Sequence, residues 1–205
     1  MKRLNLYIEG GGPTEATQGK IRLGMRTLFA PWIDQMRERG WHVNLVVCGA
    51  CTETYKQFIK DRAKEPDETF VLLLDSEEPV NAPTRIKHLQ DRKEHKCALP
   101  GVKEEHVHLM AQAMEAWIAA DPDKLEEHYK RNFHKNELPE SLVLHVLSPA
   151  DILKKLEDAT KDTPAGKYQK VKHASELLKK IRLDKVRARC PHAETLCATL
   201  LTLEN

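Results

Sequence analysis

Apolar runs separated by polar, helix-patterned segments divide the first half of the chain. "LNLYI" at 4–8, "HVNLVVC" at 42–48 and "TFVLLLD" at 69–75 predict three short buried strands. The third run is almost continuously apolar, as expected of a strand that is covered on both faces. "HVHLMA" at 106–111 is a candidate fourth strand.

The segments between these runs have helical patterns. Residues 15–39 predict a helix that ends at Gly40 and that Pro31 kinks or splits. Residues 52–64 predict a second helix with Thr52 as its N-cap, and residues 84–93 predict a third. This alternation predicts an α/β fold, a Rossmann-like and mainly parallel sheet flanked by helices.

From Met114 onward the pattern is helical. One helix stops at Asp121 before Pro122, and the next starts there with the aspartate as N-cap. Another starts at Ser148-Pro149, and a further stripe of apolar residues follows "KYQK". We therefore predict an α/β catalytic core at 1–121 and a helical C-terminal region at 122–205 that packs on it.

Composition narrows the class of protein. Of the 205 residues 31% are charged, and no apolar run approaches the roughly 18–20 residues of a membrane span, so we expect a cytoplasmic protein without a membrane partner. The net charge is only +2, but residues 167–189 carry nine Lys or Arg against two acids. The five cysteines are an odd number, and "C-x-x-C" at 48–51 has no second pair to complete a zinc site.

Acidic residues follow two of the predicted strands. Glu9 comes after the first strand, and Asp75 and Glu77 come after the third. Sites in open α/β sheets form beyond the carboxyl ends of the strands, and alternate residues of an extended segment point the same way. Converging carboxylates are costly unless a cation neutralises them, and Mg²⁺ or Mn²⁺ prefers oxygen ligands. The pattern therefore predicts a metal site.

The glycines of "LYIEGGGPTE" at 6–15 also suggest a phosphate loop. A Walker loop needs Ser or Thr after Gly-Lys, where this chain has Ile21. A dinucleotide fingerprint needs a glycine where this chain has Glu15. Both nucleotide motifs fail, so the two acids of the stretch become its candidate chemistry and the glycines are predicted to bend the chain.

"YIEGGGPTE" followed by "VLLLDSEE" resembles the Toprim superfamily, which includes catalytic domains of topoisomerases, primases and the overcoming-lysogenization-defect nucleases. Glu9 matches the first motif of that pattern. Asp75 and Glu77 match its second motif, with glutamate in place of the second aspartate. Glu15 matches the second acid of the "EGxTE" form in the nuclease branch.

"MAQAMEAWIAADPDKL", "KYQKVKHASELL" and "CPHAETLCATL" resemble the domain-of-unknown-function family 4276, over nearly the whole chain. The chain is similar in this way to the nuclease subunit of PARIS antiphage systems. The resemblance implies a Toprim-like, Mg²⁺-dependent or Mn²⁺-dependent endonuclease that cuts DNA or RNA in antiviral defence under the control of a partner ABC-type ATPase. It also brings Glu115, near Trp117 and Asp121, into the candidate site.

The predicted catalytic residues are thus Glu9, Glu15, Asp75, Glu77 and Glu115, of which Glu9, Asp75 and Glu77 are the predicted metal ligands. The predicted phosphate contacts lie in the basic segment. They are His173 and one of the two lysines Lys170 and Lys172, between which the sequence does not choose. Two rival functions stay open: a non-catalytic sensor subunit of an ATPase complex, and a phosphotransfer enzyme acting on a small substrate. A homo-oligomer also stays open.

Overall fold

A computed structural model describes residues 2–140 and 144–203. Within them, four strands form one sheet, in the order β2-β1-β3-β4, and every neighbouring pair is parallel. The strands are β1 (Lys2–Ile8), β2 (Trp41–Val47), β3 (Thr69–Asp75) and β4 (Val107–Met110). The predicted α/β fold with a parallel sheet is confirmed, and the arrangement is Rossmann-like.

Ten α-helices in the described ranges surround this sheet. They are α1 (Glu15–Leu28), α2 (Ala30–Glu38), α3 (Cys51–Lys64), α4 (Arg85–Asp91), α5 (Met114–Ala119), α6 (Pro122–Tyr129), α7 (Pro149–Thr160), α8 (Lys170–Leu178), α9 (Leu183–Arg189) and α10 (Pro191–Leu201). Short 3₁₀ turns lie at Glu104–His106, Lys135–Glu137 and Leu144–Val146. None of these helices has the length and apolarity needed to span a bilayer.

The predicted break in the first helical segment is confirmed, and the start of the next helix differs from its prediction. The segment 15–39 is two helices that meet at Phe29, because Pro31 lies in the first turn of α2, where its missing N–H leaves no bond unmade. Helix α3 begins one residue earlier than expected, at Cys51 after Ala50. The prediction of Thr52 as N-cap is therefore wrong, since Thr52 already lies inside the first turn.

The sheet has an apolar layer on each face. On one face, residues such as Leu6 and Leu45 pack with α1, α2, α5 and the C-terminal helices in a continuous cluster that reaches Leu200. On the other face, a smaller cluster joins Leu72 and Leu109 to Phe58 of α3 and neighbouring side chains. The C-terminal helices thus share a hydrophobic core with β1 and β2.

Helix α8 packs closely on α1. A side chain at Gly24 of α1 would place its Cβ 2.8 Å from the Ser175 carbonyl oxygen and 2.9 Å from Leu178 Cβ. This close approach fixes α8 against the helix that follows β1. As a result, the first residue of α8, Lys170, lies near the carboxyl ends of the strands.

Candidate active site

Glu9 follows β1 and Asp75 ends the neighbouring parallel strand β3, and the Glu9 side chain reaches the Asp75 backbone. Glu9 comes directly after β1, and Asp75 is the last residue of β3. Glu9 Oε2 accepts a hydrogen bond of 3.1 Å from the Asp75 backbone N–H. The structure therefore turns Glu9 toward Asp75, in the relation that the strand pattern predicts.

Asp75 is 7% exposed and is held from two sides. Its Oδ1 accepts a hydrogen bond of 2.9 Å from the Met114 backbone N–H, at the start of α5. Its carbonyl oxygen accepts a hydrogen bond from Arg92 Nη2, and Arg92 is fully buried. These bonds fix the backbone and one carboxylate oxygen, which leaves Oδ2 facing the site.

Glu115 adds a third carboxylate, from the first turn of α5. It is 4% exposed, and its Oε2 lies 3.2 Å from Lys170 Nζ. Lys170 Nζ also lies 3.6 Å from Asp75 Oδ2. The hydroxyl of Tyr168 donates to Glu115 Oε1 at 3.4 Å. We call Glu9, Asp75 and Glu115 the acid cluster; Lys170 is the cation that contacts it.

Burial sets the electrostatics of this cluster. Burial and the charge of Asp75 raise the pKa of Glu9 above the ordinary range of a carboxyl group. Burial likewise raises the pKa of Asp75, although Lys170 acts in the opposite direction. Burial disfavours the ammonium form of Lys170, but Asp75 and Glu115 outweigh this effect and raise the pKa of Lys170. Without a cation, the described site therefore favours a proton on Glu9, while Lys170 pairs with the other two acids.

A cleft of about 490 Å³ opens beside the acid cluster. Its walls are the loop 10–13, the first turns of α1, the start of α3 and the start of α8, and Glu9, Asp75 and Lys170 lie along it. Gly11 and Gly12 have φ of +85° and +64°, and a Cβ on Gly11 would lie 2.6 Å from Gln18 Cα. The glycines therefore allow the tight turn after β1, as predicted once the two nucleotide motifs were excluded.

Of the other two predicted acids, Glu77 lies at the edge of the site and Glu15 lies outside the cleft. Glu77 lines a smaller cavity of about 360 Å³ with the acid cluster, but its side chain is exposed and its φ is +60°. The backbone turns at Glu77 instead of continuing as a strand, so the expected alternation of Asp75 and Glu77 on one extended segment is wrong. Glu15 is exposed in the first turn of α1 and does not line the cleft.

Of the three predicted phosphate contacts, only Lys170 lies at the site. Lys172 is exposed, and its Nζ donates to the Ala165 carbonyl oxygen at 3.4 Å, away from the acids. His173 is 6% exposed, and its Nδ1 accepts the Gln169 N–H at 3.1 Å. Its buried imidazole does not line the cleft, so the expected phosphate contact by His173 is not what the structure shows. Of the two lysines, Lys170 is the one at the site.

The basic segment 167–189 is not one open cationic surface. Five of its nine cations pair with carboxylates, namely Lys167, Lys170, Lys179, Arg182 and Arg187. Lys172 and Arg189 donate to backbone carbonyl oxygens. Much of the local excess of positive charge therefore compensates acids elsewhere in the fold.

The residues can be tested for fit to a divalent cation. In the described ranges no three His, Cys, Asp or Glu side chains are grouped closely enough to form a complete ligand set. Mg²⁺ keeps several waters, however, and is commonly bound through one or two carboxylates and a substrate phosphate. Glu9 and Asp75, two neighbouring carboxyl groups beside an open cleft, fit that mode of binding.

Sequence reasoning missed Tyr168 and the pairing of Lys170 with the acids. Burial and then Glu115 raise the pKa of Tyr168, so its hydroxyl remains a donor. The signal was the motif "KYQK", which places Tyr168 and Lys170 two residues apart just before and at the start of α8. The motif was recognised, but its contact with Glu115, more than fifty residues earlier, depends on the packing of α8.

Comparison with known proteins gives one match. No curated protein and no solved structure is significantly similar to this chain. A family model described as "Domain of unknown function (DUF4276)" matches residues 8–201, which include all members of the acid cluster and Lys170. The chain therefore belongs to this family of domains of unknown function.

Proposed function

We propose that the protein is a metal-dependent phosphodiester hydrolase, a Toprim-like endonuclease that acts on DNA or RNA. The observation that carries the proposal is the meeting of Glu9 and Asp75 at the ends of β1 and β3, with Glu9 Oε2 3.1 Å from the Asp75 nitrogen. Neighbouring carboxylates withdrawn from water are stabilised by a cation, and the cleft beside them gives a substrate access.

Glu9 and Asp75 would hold the cation, which when bound supplies Lewis-acid polarisation of a phosphoryl oxygen and a more acidic water. The Asp75 and Met114 backbone N–H groups orient the two carboxylates. Glu115 lies at the same site as an acceptor for the proton of a water. Lys170 lines the cleft and would contact a phosphate as a point charge.

The cleft favours a second candidate, a phosphatase or phosphotransfer enzyme acting on a small substrate. A volume of about 490 Å³ suits one small ligand, and much of the basic segment is engaged in internal pairs. This rival uses the same acids. Control by a partner ATPase, and a role in antiphage defence, rest on the family resemblance alone.

The test incubates the purified full chain with Mn²⁺ and labelled single-stranded and double-stranded DNA and RNA. Wild type is compared with Glu9→Gln and Asp75→Asn, which keep the shape of each side chain and remove its charge. We expect wild type to cleave nucleic acid and each variant to cleave it at least about a hundredfold more slowly. Loss of a metal ligand should cost more than loss of a residue that only supports a ligand.

Asp34→Asn is the matched control, because Asp34 is an exposed carboxylate on α2 that pairs with Arg37. It should cleave like wild type. Equal cleavage by all four proteins would contradict the proposal, since the activity would not depend on the site. Hydrolysis of a small phosphomonoester without cleavage of nucleic acid would support the small-substrate rival.

A further inference from the structure

Lys170 is in an unusual position for a cation. It is the first residue of α8, and its N-cap Gln169 makes no side-chain capping bond. The N-terminus of a helix carries a partial positive charge, so a lysine in the first turn is unfavourable there. The compensation comes from Glu115, 3.2 Å from its Nζ, and from Asp75, 3.6 Å away. Lys170 is therefore stabilised by its contacts with the acids and not by its position in the helix.

The ammonium group of Lys170 lies on the side of the acid cluster that Asp75 Oδ2 and Glu115 Oε2 face. Asp75 has one carboxylate oxygen engaged by the Met114 N–H, and the other faces Lys170. A cation that used this second oxygen would stand within a few ångströms of the ammonium group. Two positive charges at that separation repel each other, and they compete for the same carboxylate oxygen.

The Lys170 side chain also has space to move away from the acid cluster. Its side chain is 46% exposed, and the residue lines both the cleft of about 490 Å³ and the smaller cavity that contains Glu77. The four-carbon stem of lysine is flexible, so the ammonium group can leave the acids while α8 stays in place. Glu115 and Asp75, by contrast, are buried and held by backbone or side-chain bonds.

We propose that Lys170 is a built-in competitor of the metal: its ammonium group pairs with Asp75 and Glu115 in the metal-free protein, and cation binding displaces it into the cleft. This inference rests on the proposed function for the presence of a metal site. It adds that metal affinity is held down by a side chain of the same protein, and that one lysine serves the acids before the metal binds and a phosphate afterwards.

The test measures Mn²⁺ binding to the full-length protein by isothermal titration calorimetry and by electron paramagnetic resonance of free Mn²⁺, with no substrate present. Lys170→Met removes the charge and keeps an apolar stem of similar length. We expect it to bind Mn²⁺ at least about tenfold more tightly than wild type, because a unit charge close to the bound cation is removed. Lys170→Arg, which keeps the charge, should bind no more tightly than wild type.

Lys172→Met is the matched control, since Lys172 is two residues further along α8 and contacts a carbonyl oxygen instead of the acids. It should bind Mn²⁺ as wild type does. Thermal unfolding gives a second readout: without metal Lys170→Met should unfold at a lower temperature than wild type, and Mn²⁺ should raise that temperature more than in wild type. Lys170→Gln provides a polar alternative if the methionine variant does not fold.

The outcomes separate the two proposals. Mn²⁺ binding that is equal or weaker in the Lys170→Met and Lys170→Gln variants overturns the competitor role and leaves the metal site standing. Binding seen only after Lys170 is replaced supports the competitor role most directly. No Mn²⁺ binding in wild type or in either variant overturns both proposals.

Discussion

His108 on β4 is a fully buried imidazole, apart from the acid cluster. Its Nε2 lies 3.0 Å from the Glu105 carbonyl oxygen, and its buried Nδ1 has no partner. Burial and the nearby Arg85 lower the pKa of His108 to about 3. The folded protein therefore keeps this imidazole neutral at a pH where the unfolded chain protonates it.

This histidine predicts a pH dependence of stability. Between pH 6.5 and 3 the unfolded state binds the proton and the folded state does not, so the free energy of unfolding falls as the pH falls. From pH 7.5 to pH 5, wild type should lose about 2 kcal/mol more than His108→Gln, which cannot titrate. Urea unfolding at the two pH values measures the difference.

His42→Gln is the control for that experiment, because His42 is exposed on β2. Its pH dependence should match that of wild type. The same loss of stability in His108→Gln and in wild type would show that His108 is not the group that titrates.

At the residue scale, the acids that follow strands were predictable and their cation was not. Glu9 and Asp75 follow from one rule, that parallel strands bring their carboxyl ends to one edge of the sheet. The contact between Lys170 and Glu115 follows from no local pattern, since it depends on where α8 packs. The extended alternation of Asp75 and Glu77 was wrong because that rule holds only while the strand continues, and the chain turns at Glu77.

At the scale of elements, the seam between α1 and α8 decides where Lys170 lies. Gly24→Ala would improve the intrinsic helix propensity of α1, but its Cβ would overlap a backbone oxygen and Leu178. Because backbone atoms cannot move aside as a side chain does, we expect a net destabilisation of about 1–3 kcal/mol, typical of overpacking. Chemical denaturation measures it.

Gly19→Ala is the matched change in the same helix. A Cβ at Gly19 meets nothing within 4 Å, so this variant should gain about 0.5–1 kcal/mol from propensity alone. If both variants were stabilised, the packing of α8 on α1 would be looser than described. The position of Lys170 would then need another cause.

Element types were predicted well, because strands and helices differ in the period of their apolar residues. Boundaries were predicted less well where neighbouring signals compete. Thr52 is a good N-cap residue, yet α3 begins earlier, at Cys51, which is buried against the smaller core. Pro31 correctly indicated a break, but the break falls two residues before it, at Phe29.

At the scale of the whole molecule, an ion pair between a buried aspartate and a half-exposed arginine joins the start of α6 to the start of α9. Asp121 is fully buried, and its Oδ1 and Oδ2 accept hydrogen bonds of 2.8 Å from Arg182 Nη2 and Nε. Arg182 and Lys124 also donate backbone N–H groups to Asp121. The pair therefore ties the predicted core region 1–121 to the region 122–205.

Arg182→Met should lower the free energy of unfolding by more than Arg37→Met does, because it leaves a buried carboxylate without its cation. Thermal or urea unfolding measures the loss. Arg37→Met, which breaks an exposed pair with Asp34, is the comparison and should cost less than about 1 kcal/mol. Similar losses in the two variants would mean that Asp121 finds another cation.

Glu9 and Lys170 lie far apart along the sequence, and this affects the newly made chain. A ribosome adds about 5–20 residues per second, so the carboxylates of the cluster are synthesised seconds before the lysine that contacts them. Until residue 170 emerges, Asp75 and Glu115 lack the ammonium group that contacts them in the folded protein. The cleft also lacks its α8 wall until then, so a chain that terminates before α8 carries the acids of the site but not the site itself.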